Sequence, residues 1–379
     1  MFHPRTTVGI NICLSAGDVP FPHPVEGALC GPTKPGTTFV PGQVLESYNP
    51  CPLNACCNIW GQCGITPTFC ICDPGESPDT SVVENGCIWS CGTTIINTAP
   101  LPTRFGRIGY YDSSNFRREC LRLSSKNSNI DGSNTHIHWA FAKVSTDDWT
   151  LEIDDPYDQW DQALAVSERK IISVGGWAFS TEPGTSTILR EAMLEANRDT
   201  FATHVVQFLR NNKLDGFDFD WDYPGNYLDF LTVMKSKLHT TKSMSVAAPA
   251  SYYYLRAFPI KEMAELLDYI VYMTYDLHGQ WDAGNPSSVE GCPTGNCLRS
   301  HGESIHLARN TYYALTMITK AGVATSKIFV GKWASSTDHT QAKQATVEAS
   351  GCCSQAAQTP CVESWHDQSS DSDMLVYNG

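Results

Sequence analysis

Seven short apolar segments, separated by helical patterns, constrain the fold of this chain more than any other feature. Before the fourth segment, Phe201, Val205 and Phe208 lie at helical spacing, which predicts an amphipathic helix that runs into a strand. This alternation predicts an α/β fold, a (β/α)8 TIM barrel with its active site at the carboxyl ends of the strands. The segments are RIGYY from 107, HIHWAFA from 136, KIISVGG from 170, LDGFDFD from 214, MSVAAPA from 244, YIVYMTY from 269 and KIFVGKW from 327.

The fourth segment continues as LDGFDFDWDYPG and gathers four aspartates between aromatic residues. Side chains alternate along a strand, so Asp218, Asp220 and Asp222 are expected on one face. An edge strand with a solvated face would also have this pattern. The strands of a parallel sheet are covered on both faces, so acids there are tolerated only near the end of a strand, where they meet water and substrate. Mutual repulsion can then keep one carboxyl protonated, as a general acid requires.

Composition restricts the classes of binding partner and the cellular compartment that we expect. The chain has 379 residues, a net charge of −14 and only 26 basic residues, so we expect no nucleic-acid partner. No apolar run reaches membrane-span length, so no membrane association is expected. Ten of the 16 cysteines fall within the first 91 residues. They favour an oxidised, extracellular protein over a metal site, although the first residues contain no visible signal peptide.

Four motifs carry a resemblance to a known family. DGFDFDWD resembles the signature DGxDxDxE of glycoside hydrolase family 18, the chitinases. SVGGW at 173 to 177, MTYD at 273 to 276 and GYY at 109 to 111 resemble that family's third, sixth and first strand motifs. The motifs follow the family's order over most of residues 105 to 335. The resemblance implies a barrel that binds and cleaves chitin or chito-oligosaccharides without a cofactor or a metal ion.

The resemblance also implies roles for individual residues. The family uses substrate-assisted retention, in which the acetamido oxygen of the sugar attacks its own anomeric carbon. Asp222 would then be the acid, Asp220 would orient the acetamido group and Asp218 would support Asp220. Tyr275 would hydrogen-bond the acetamide carbonyl and Asp276 the sugar. The remaining subsite residues would be Tyr110, Phe141, Trp177 and Met273, with core packing an equal alternative for Phe141 and Met273.

Two departures from the family pattern bear on activity. The family's acid is glutamate, and position 222 carries aspartate, which is shorter by one methylene. A misplacement of that order costs about a hundredfold in rate, so we expect reduced turnover. The family's eighth strand is not recognisable after KIFVGKW. A barrel without it would expose two strand edges, which predicts a fragment, a truncated product or a poorly stable domain.

The cysteine-dense segment has a resemblance of its own. CPLNACCNIWGQCGITPTFC, at 51 to 70, has the cysteine spacing of hevein-like chitin-binding modules. By that resemblance Trp60 and Phe69 would stack on sugar rings, Asn58 would make a polar contact and Gln62 replaces a further aromatic. Packing in the module's core is the alternative for Trp60 and Phe69. The implied disulfides are Cys30 to Cys57, Cys51 to Cys63, Cys56 to Cys70 and Cys87 to Cys91, and a local bridge from Cys292 to Cys297 is expected from their spacing.

The predicted organisation has four parts. Residues 1–28 would be the C-terminal remnant of a LysM module, because VGINICLS at 8 to 15 is similar to its closing segment. Residues 29–91 would form the hevein-like domain, 92–104 a linker and 105–379 the C-terminally incomplete barrel. A secreted chitinase with a chitin-binding module is the leading interpretation. A non-catalytic chitin-binding protein and a chitin-binding component like those of killer toxins are the alternatives.

Overall fold

The computed structural model divides the chain into two compact units. The first contains Met1–Ala99, Ser251–Lys261 and Ala308–Thr325, and the second contains Pro100–Ala250, Glu262–Leu307 and Ser326–Gly379. The structure describes residues 22–44, 47–71, 86–97, 99–100, 105–117, 122–166, 169–221, 225–275, 304–333 and 374–377, with only the backbone at 68, 304–310, 332–333 and 374–377.

The described residues contain twelve strands and nine α-helices. The strands are β1 (Cys56–Asn58), β2 (Cys63–Gly64), β3 (Cys87–Trp89), β4 (Arg107–Asp112), β5 (His136–Val144), β6 (Leu151–Glu152), β7 (Arg169–Gly175), β8 (Gly216–Asp220), β9 (Ser243–Pro249), β10 (Tyr269–Met273), β11 (Ile328–Trp333) and β12 (Met374–Tyr377). The helices are α1 (Pro67–Cys70), α2 (Trp160–Leu164), α3 (Trp177–Thr181), α4 (Ile188–Ala192), α5 (Arg198–Asn211), α6 (Tyr227–Lys237), α7 (Tyr252–Leu255), α8 (Ile260–Leu266) and α9 (Ser304–Lys320).

The first unit holds a small antiparallel sheet in the order β2-β1-β3. A domain of this size has little apolar core, so covalent bridges stabilise it. Its disulfides are the same four pairs that the hevein-like resemblance implied: Cys30–Cys57, Cys51–Cys63, Cys56–Cys70 and Cys87–Cys91. The predicted bridge from Cys292 to Cys297 lies outside the described residues.

The segment that follows this sheet is hydrogen-bonded to α9 within the same unit. Thr316 donates to the carbonyl of Thr93 at 2.8 Å, and the amide of Ile96 donates to Thr319 at 3.1 Å. Lys320 Nζ donates to the carbonyls of Ser90 and Gly92. Residues 92–96 of the predicted linker are therefore held against a helix.

The second unit is a barrel of parallel strands. The strands β4, β5, β7, β8, β9, β10 and β11 pair in parallel in that order, with the short β6 added antiparallel to β5. The predicted TIM-type barrel is thus confirmed. β8 lies between β7 and β9, so the edge-strand alternative for the aspartate-rich segment is wrong.

The eighth position of the barrel is filled by β12. This strand pairs antiparallel with both β11 and β4, through Trp333 with Met374 and Gly109 with Leu375. The recognisable parallel strands are seven in the described residues, as the sequence predicts. The expected pair of exposed edges is not found, because the backbone of β12 hydrogen-bonds to both.

The outer face of β8 explains why its aromatic residues alternate with acids. Phe217 and Phe219 are fully buried, and Trp221 directly after the strand is 1% exposed. The Phe219 ring contacts Phe201 of α5 and Phe230 of α6, with ring centroids 6.2 and 5.1 Å apart. This apolar layer between strand and helices fixes the orientation of β8, so its aspartates face the barrel interior.

No described helix has the length and apolar character needed to cross a membrane.

Candidate active site

A layer of polar side chains crosses the barrel interior at one level of the strands. The strand register pairs Ser173 with Asp218, Asp218 with Ser245 and Ser245 with Tyr269. On the other side of the barrel, Tyr110 pairs with His138. Because side chains alternate along each strand, this register aims all these groups inwards.

Asp218 is the centre of this layer and is fully buried. Its Oδ2 accepts hydrogen bonds from the Tyr110 hydroxyl at 2.8 Å and from Ser173 Oγ at 2.7 Å. Its Oδ1 accepts from Ser245 Oγ at 2.6 Å. His138 Nδ1 lies 3.3 Å from Oδ2, at ion-pair distance although outside hydrogen-bond geometry.

These neighbours determine the charge of Asp218. Burial alone raises the pKa of its carboxyl, because a low-dielectric interior disfavours charge. The electrostatic attraction of His138 and the hydrogen bonds from Ser245 and Ser173 outweigh burial, so the pKa is below the ordinary aspartate value. Burial, reinforced by Asp218, raises the pKa of the Tyr110 hydroxyl well above its usual value. Tyr110 therefore stays protonated and donates to an ionised carboxylate.

Asp220 ends β8 at the carboxyl end of the barrel and is 5% exposed. Its carbonyl accepts a 2.8 Å hydrogen bond from the amide of Gly176. Gly175, at φ +121°, is so close that a β-carbon there would lie 1.9 Å from the same carbonyl oxygen. Only glycine fits this contact, which fixes the end of β8 against the end of β7. Position 222, the predicted acid, lies outside the described residues, as does Asp276.

Partly buried apolar side chains surround the carboxylates. Phe141, Met273 and Tyr275 pack against one apolar cluster of the barrel interior, which includes Tyr110. Phe141, after a cis peptide bond, also lies against Gly176, where a β-carbon would come within 2.8 Å of its ring. Trp177 begins α3 at the carboxyl end of β7 and is 46% exposed. The barrel thus brings together Tyr110, Phe141, Met273 and Tyr275, and each of the last three has an exposed part.

The four predicted residues of the small module take different positions. The Asn58 side chain is fully buried, and its Oδ1 accepts from the amides of Trp60 and Gln62 at 3.1 and 2.9 Å. Asn58 Nδ2 donates to Gln62 Oε1 at 3.2 Å. In this geometry the Asn58 side chain holds the turn. Trp60, on that turn, is 36% exposed, whereas Phe69 packs against the cluster of Cys56, Cys70 and Cys87.

The sulfur atoms of Cys30, Cys51 and Cys57 lie within 4.8 Å of one another. All three are bonded in disulfides, so none is a thiolate that could bind a metal ion.

Sequence reasoning gave no role to four members of the polar layer. His138, Ser173, Ser245 and Tyr269 lie within segments that the sequence identifies as strands. Their signal is a polar side chain at an inward-facing position of an otherwise apolar strand, since an unpaired polar group is costly inside a barrel. Their partners belong to other strands, so the sequence does not reveal which groups meet.

Comparisons with known proteins agree with this architecture. The probable chitinase LysM18 of Penicillium expansum is 43% identical over 84% of this chain and 23% of its own length. The secreted chitinase LysM12 of the same organism is 43% identical over 84% of this chain and 22% of its length. The killer toxin subunits alpha/beta of Kluyveromyces lactis are 36% identical over 85% of this chain and 27% of their length.

This chain spans about a quarter of the length of these relatives. The family described as glycosyl hydrolases family 18 matches residues 107–375, which covers every strand of the barrel up to the first residues of β12. The chain therefore belongs to glycosyl hydrolase family 18, the family of chitinases.

Proposed function

We propose that the barrel hydrolyses β-1,4-linked polymers of N-acetylglucosamine by substrate-assisted retention. The observation that carries this proposal is the pair of inward-facing carboxylates on β8, with Asp218 held by three hydroxyl donors and Asp220 placed at the carboxyl end of the strand. The names of two relatives, a probable chitinase and a secreted chitinase, support the substrate class.

The proposed reaction needs two functions from the protein. The acetamido oxygen forms a bond to the anomeric carbon while the glycosidic bond breaks, and Asp222 gives a proton to the leaving oxygen. Water then attacks the anomeric carbon from the side that the leaving group vacated. The bond from the acetamido oxygen to that carbon breaks, which regenerates the acetamido group, and the water returns a proton to Asp222, so configuration is retained. Asp220 orients the acetamido group. Tyr275 donates a hydrogen bond to the carbonyl oxygen of that group, and Asp276 binds the sugar.

Asp218 acts on the reaction through Asp220. Its carboxylate is fixed by hydroxyl groups of three other strands, so its negative charge stays in one place behind Asp220. A fixed charge at this point supports Asp220 electrostatically while Asp220 orients the acetamido group. Phe141, Trp177 and Met273 supply apolar surface for the sugar ring.

We propose that turnover is slower than with glutamate at position 222. Aspartate withdraws the carboxyl by about 1 Å, and a displacement of that size costs about a hundredfold in rate. A general acid as a whole contributes roughly a hundred to ten thousandfold, so residual activity is expected.

We propose that the disulfide-bonded module binds chitin through Trp60 and acts outside the cell. Trp60 is 36% exposed, and an indole ring is suited to contact the apolar faces of sugar rings. Binding to an insoluble polymer raises the effective concentration of substrate at the barrel. The name of one relative, a secreted chitinase, supports an extracellular location, as do the four disulfides.

The deciding experiment is hydrolysis of a fluorogenic chitotrioside by the purified chain and by Asp222→Glu and Asp222→Ala variants. We expect slow hydrolysis by the unmodified chain, faster hydrolysis by Asp222→Glu and none by Asp222→Ala. An unmodified chain that is inert while Asp222→Glu is active would indicate a binding protein with a repairable barrel. Inactivity of all three, with retained binding to chitin beads, would overturn the catalytic proposal and leave the module as the functional part.

A further inference from the structure

His138 has no assigned role, although it is a fully buried imidazole in the centre of the barrel. Its Nδ1 lies 3.3 Å from Asp218 Oδ2, and its Nε2 lies 3.0 Å from the hydroxyl of Tyr269. The imidazole therefore links β8 to β10 across the interior. The Tyr110 ring also contacts it, with ring centroids 4.6 Å apart.

The groups around Asp218 show how His138 differs from the other neighbours of this carboxylate. The groups that face Asp218 are the hydroxyls of Tyr110, Ser173 and Ser245, the imidazole of His138 and, two residues along its own strand, Asp220. The Tyr269 hydroxyl contacts Nε2 of His138, the ring nitrogen that does not face Asp218. Within the described ranges, His138 is the basic side chain at ion-pair distance from this carboxylate. The hydroxyl groups can rotate and serve either form of Asp218, whereas a basic group favours the carboxylate alone.

We infer that His138 is a positioning residue for the reaction: it holds Asp218 as an oriented carboxylate and thereby sets the lowest pH at which the barrel works. This inference rests on the proposed function, because Asp218 acts on the substrate through Asp220. Tyr269 fixes the ring from the far side, so that Nδ1 faces Asp218. Without His138, burial would favour protonated Asp218, and the fixed charge behind Asp220 would be lost at mildly acidic pH.

Two substitutions separate charge from hydrogen bonding. His138→Asn keeps an amide near the position of Nδ1, facing Asp218, and His138→Gln keeps one near Nε2, facing Tyr269. Neither side chain can carry positive charge. His136→Asn is the matched control, because His136 is two residues earlier on β5 and its Nδ1 contacts Thr135 at 2.8 Å instead of Asp218.

Kinetics should be measured as kcat and KM against pH, in the natural chain and in the Asp222→Glu background. We expect both His138 variants to lower kcat more than they raise KM. The acid limb of the kcat profile should move up by about one to three pH units, the range that an opposite charge at this distance produces. His136→Asn should leave the limb in place.

Acid unfolding gives a readout that does not depend on catalysis. The pKa of Asp218 is depressed in the folded chain, so its contribution to stability is present above the unfolded pKa and is lost as pH falls through the folded pKa. Removing His138 raises the folded pKa, so both variants should begin to unfold at higher pH than the natural chain and the His136→Asn control.

The two readouts separate the inference from the proposed function. If no variant hydrolyses chitotrioside but the acid-unfolding midpoint moves in both His138 variants, the proposed function fails and His138 still controls Asp218. The inference would be overturned if both His138 variants kept the acid limb of the kcat profile and the acid-unfolding midpoint of the natural chain. It would also be overturned if His136→Asn shifted these two quantities equally. If neither His138 variant folds, the carboxyl carbon of Asp218 can be titrated by NMR in the natural chain. A midpoint at or above the ordinary aspartate value would then overturn the inference.

Discussion

The hydroxyl of Tyr110 on β4 donates a 2.8 Å hydrogen bond to Asp218 Oδ2 on β8, across the interior of the barrel. This bond joins strands that are not neighbours in the sheet. It is charge-assisted, because the carboxylate is ionised and the hydroxyl is not.

Tyr110→Phe tests the contribution of this bond to catalysis. The variant keeps the ring and removes one donor to a buried carboxylate, which is worth about 1.5 to 3 kcal/mol. We expect kcat/KM for the fluorogenic chitotrioside to fall about tenfold or more. Tyr111→Phe is the control, because the Tyr111 hydroxyl contacts Asn115 and the carbonyl of Leu123 rather than the carboxylates. Equal losses in the two variants would contradict a specific role for Tyr110.

Ser245→Ala tests the other oxygen of Asp218. Ser245 Oγ donates to Oδ1 at 2.6 Å, and both groups are fully buried. Its loss leaves part of a buried carboxylate unsatisfied, so the free energy of unfolding should fall by about 1.5 to 3 kcal/mol in urea titrations. Ser243→Ala on the same strand loses a longer contact of 3.4 Å to the carbonyl of Asp215, and should cost less. A larger cost for Ser243→Ala would contradict the importance of the Asp218 bond.

Gly175→Ala tests the contact that fixes the end of β8. A β-carbon at this position would lie 1.9 Å from the carbonyl oxygen of Asp220, at a φ of +121° that disfavours alanine. Strain and overpacking together should lower the free energy of unfolding by about 3 kcal/mol or more. The displaced Asp220 should also abolish detectable hydrolysis. Gly184→Ala, where the added carbon has open space, should change neither property.

Trp60→Ala tests the proposed module surface separately from the barrel. We expect weaker retention on chitin beads and unchanged hydrolysis of the small soluble chitotrioside, because the two surfaces serve different substrates. Leu29→Ala is a control in the same module, since Leu29 is also an exposed apolar residue, at 58%. Equal loss of retention in both variants would indicate a general apolar effect instead of stacking on the indole.

Much of the barrel was predictable because its signal is local. The seven parallel strands and the aromatic and acidic faces of β8 follow from apolar segments and from alternation along a strand. Tyr110, Phe141, Met273 and Tyr275 were identified by motif, and the structure places them together. The four disulfides of the small module also follow from the resemblance of its cysteine pattern.

The parts that escaped prediction depend on contacts between distant segments. The environment of Asp218 needs the register of β5, β7 and β9, which no single segment encodes. The side-chain oxygen of Asn58 accepts from the backbone amides of Trp60 and Gln62, and its side-chain nitrogen donates to Gln62, so the use of Asn58 within its turn depends on a backbone conformation that the sequence does not show. The MLVY segment is too short to be recognised as a barrel strand alone, and its pairing partners, β11 and β4, are distant from it or from each other in the sequence.

β12 runs antiparallel to its neighbours, so the first and last residues of this strand lie at the opposite ends of the barrel from those of the seven parallel strands. Met374 pairs with Trp333, so the first residue of β12 lies at the end of the barrel that bears Asp220, while Tyr377 pairs with Arg107 at the opposite end. At the seven parallel positions, side chains that face the substrate are placed by the last residues of a strand. At this eighth position the order is inverted, so a new substrate contact would have to be engineered at the start of β12 and not at its end.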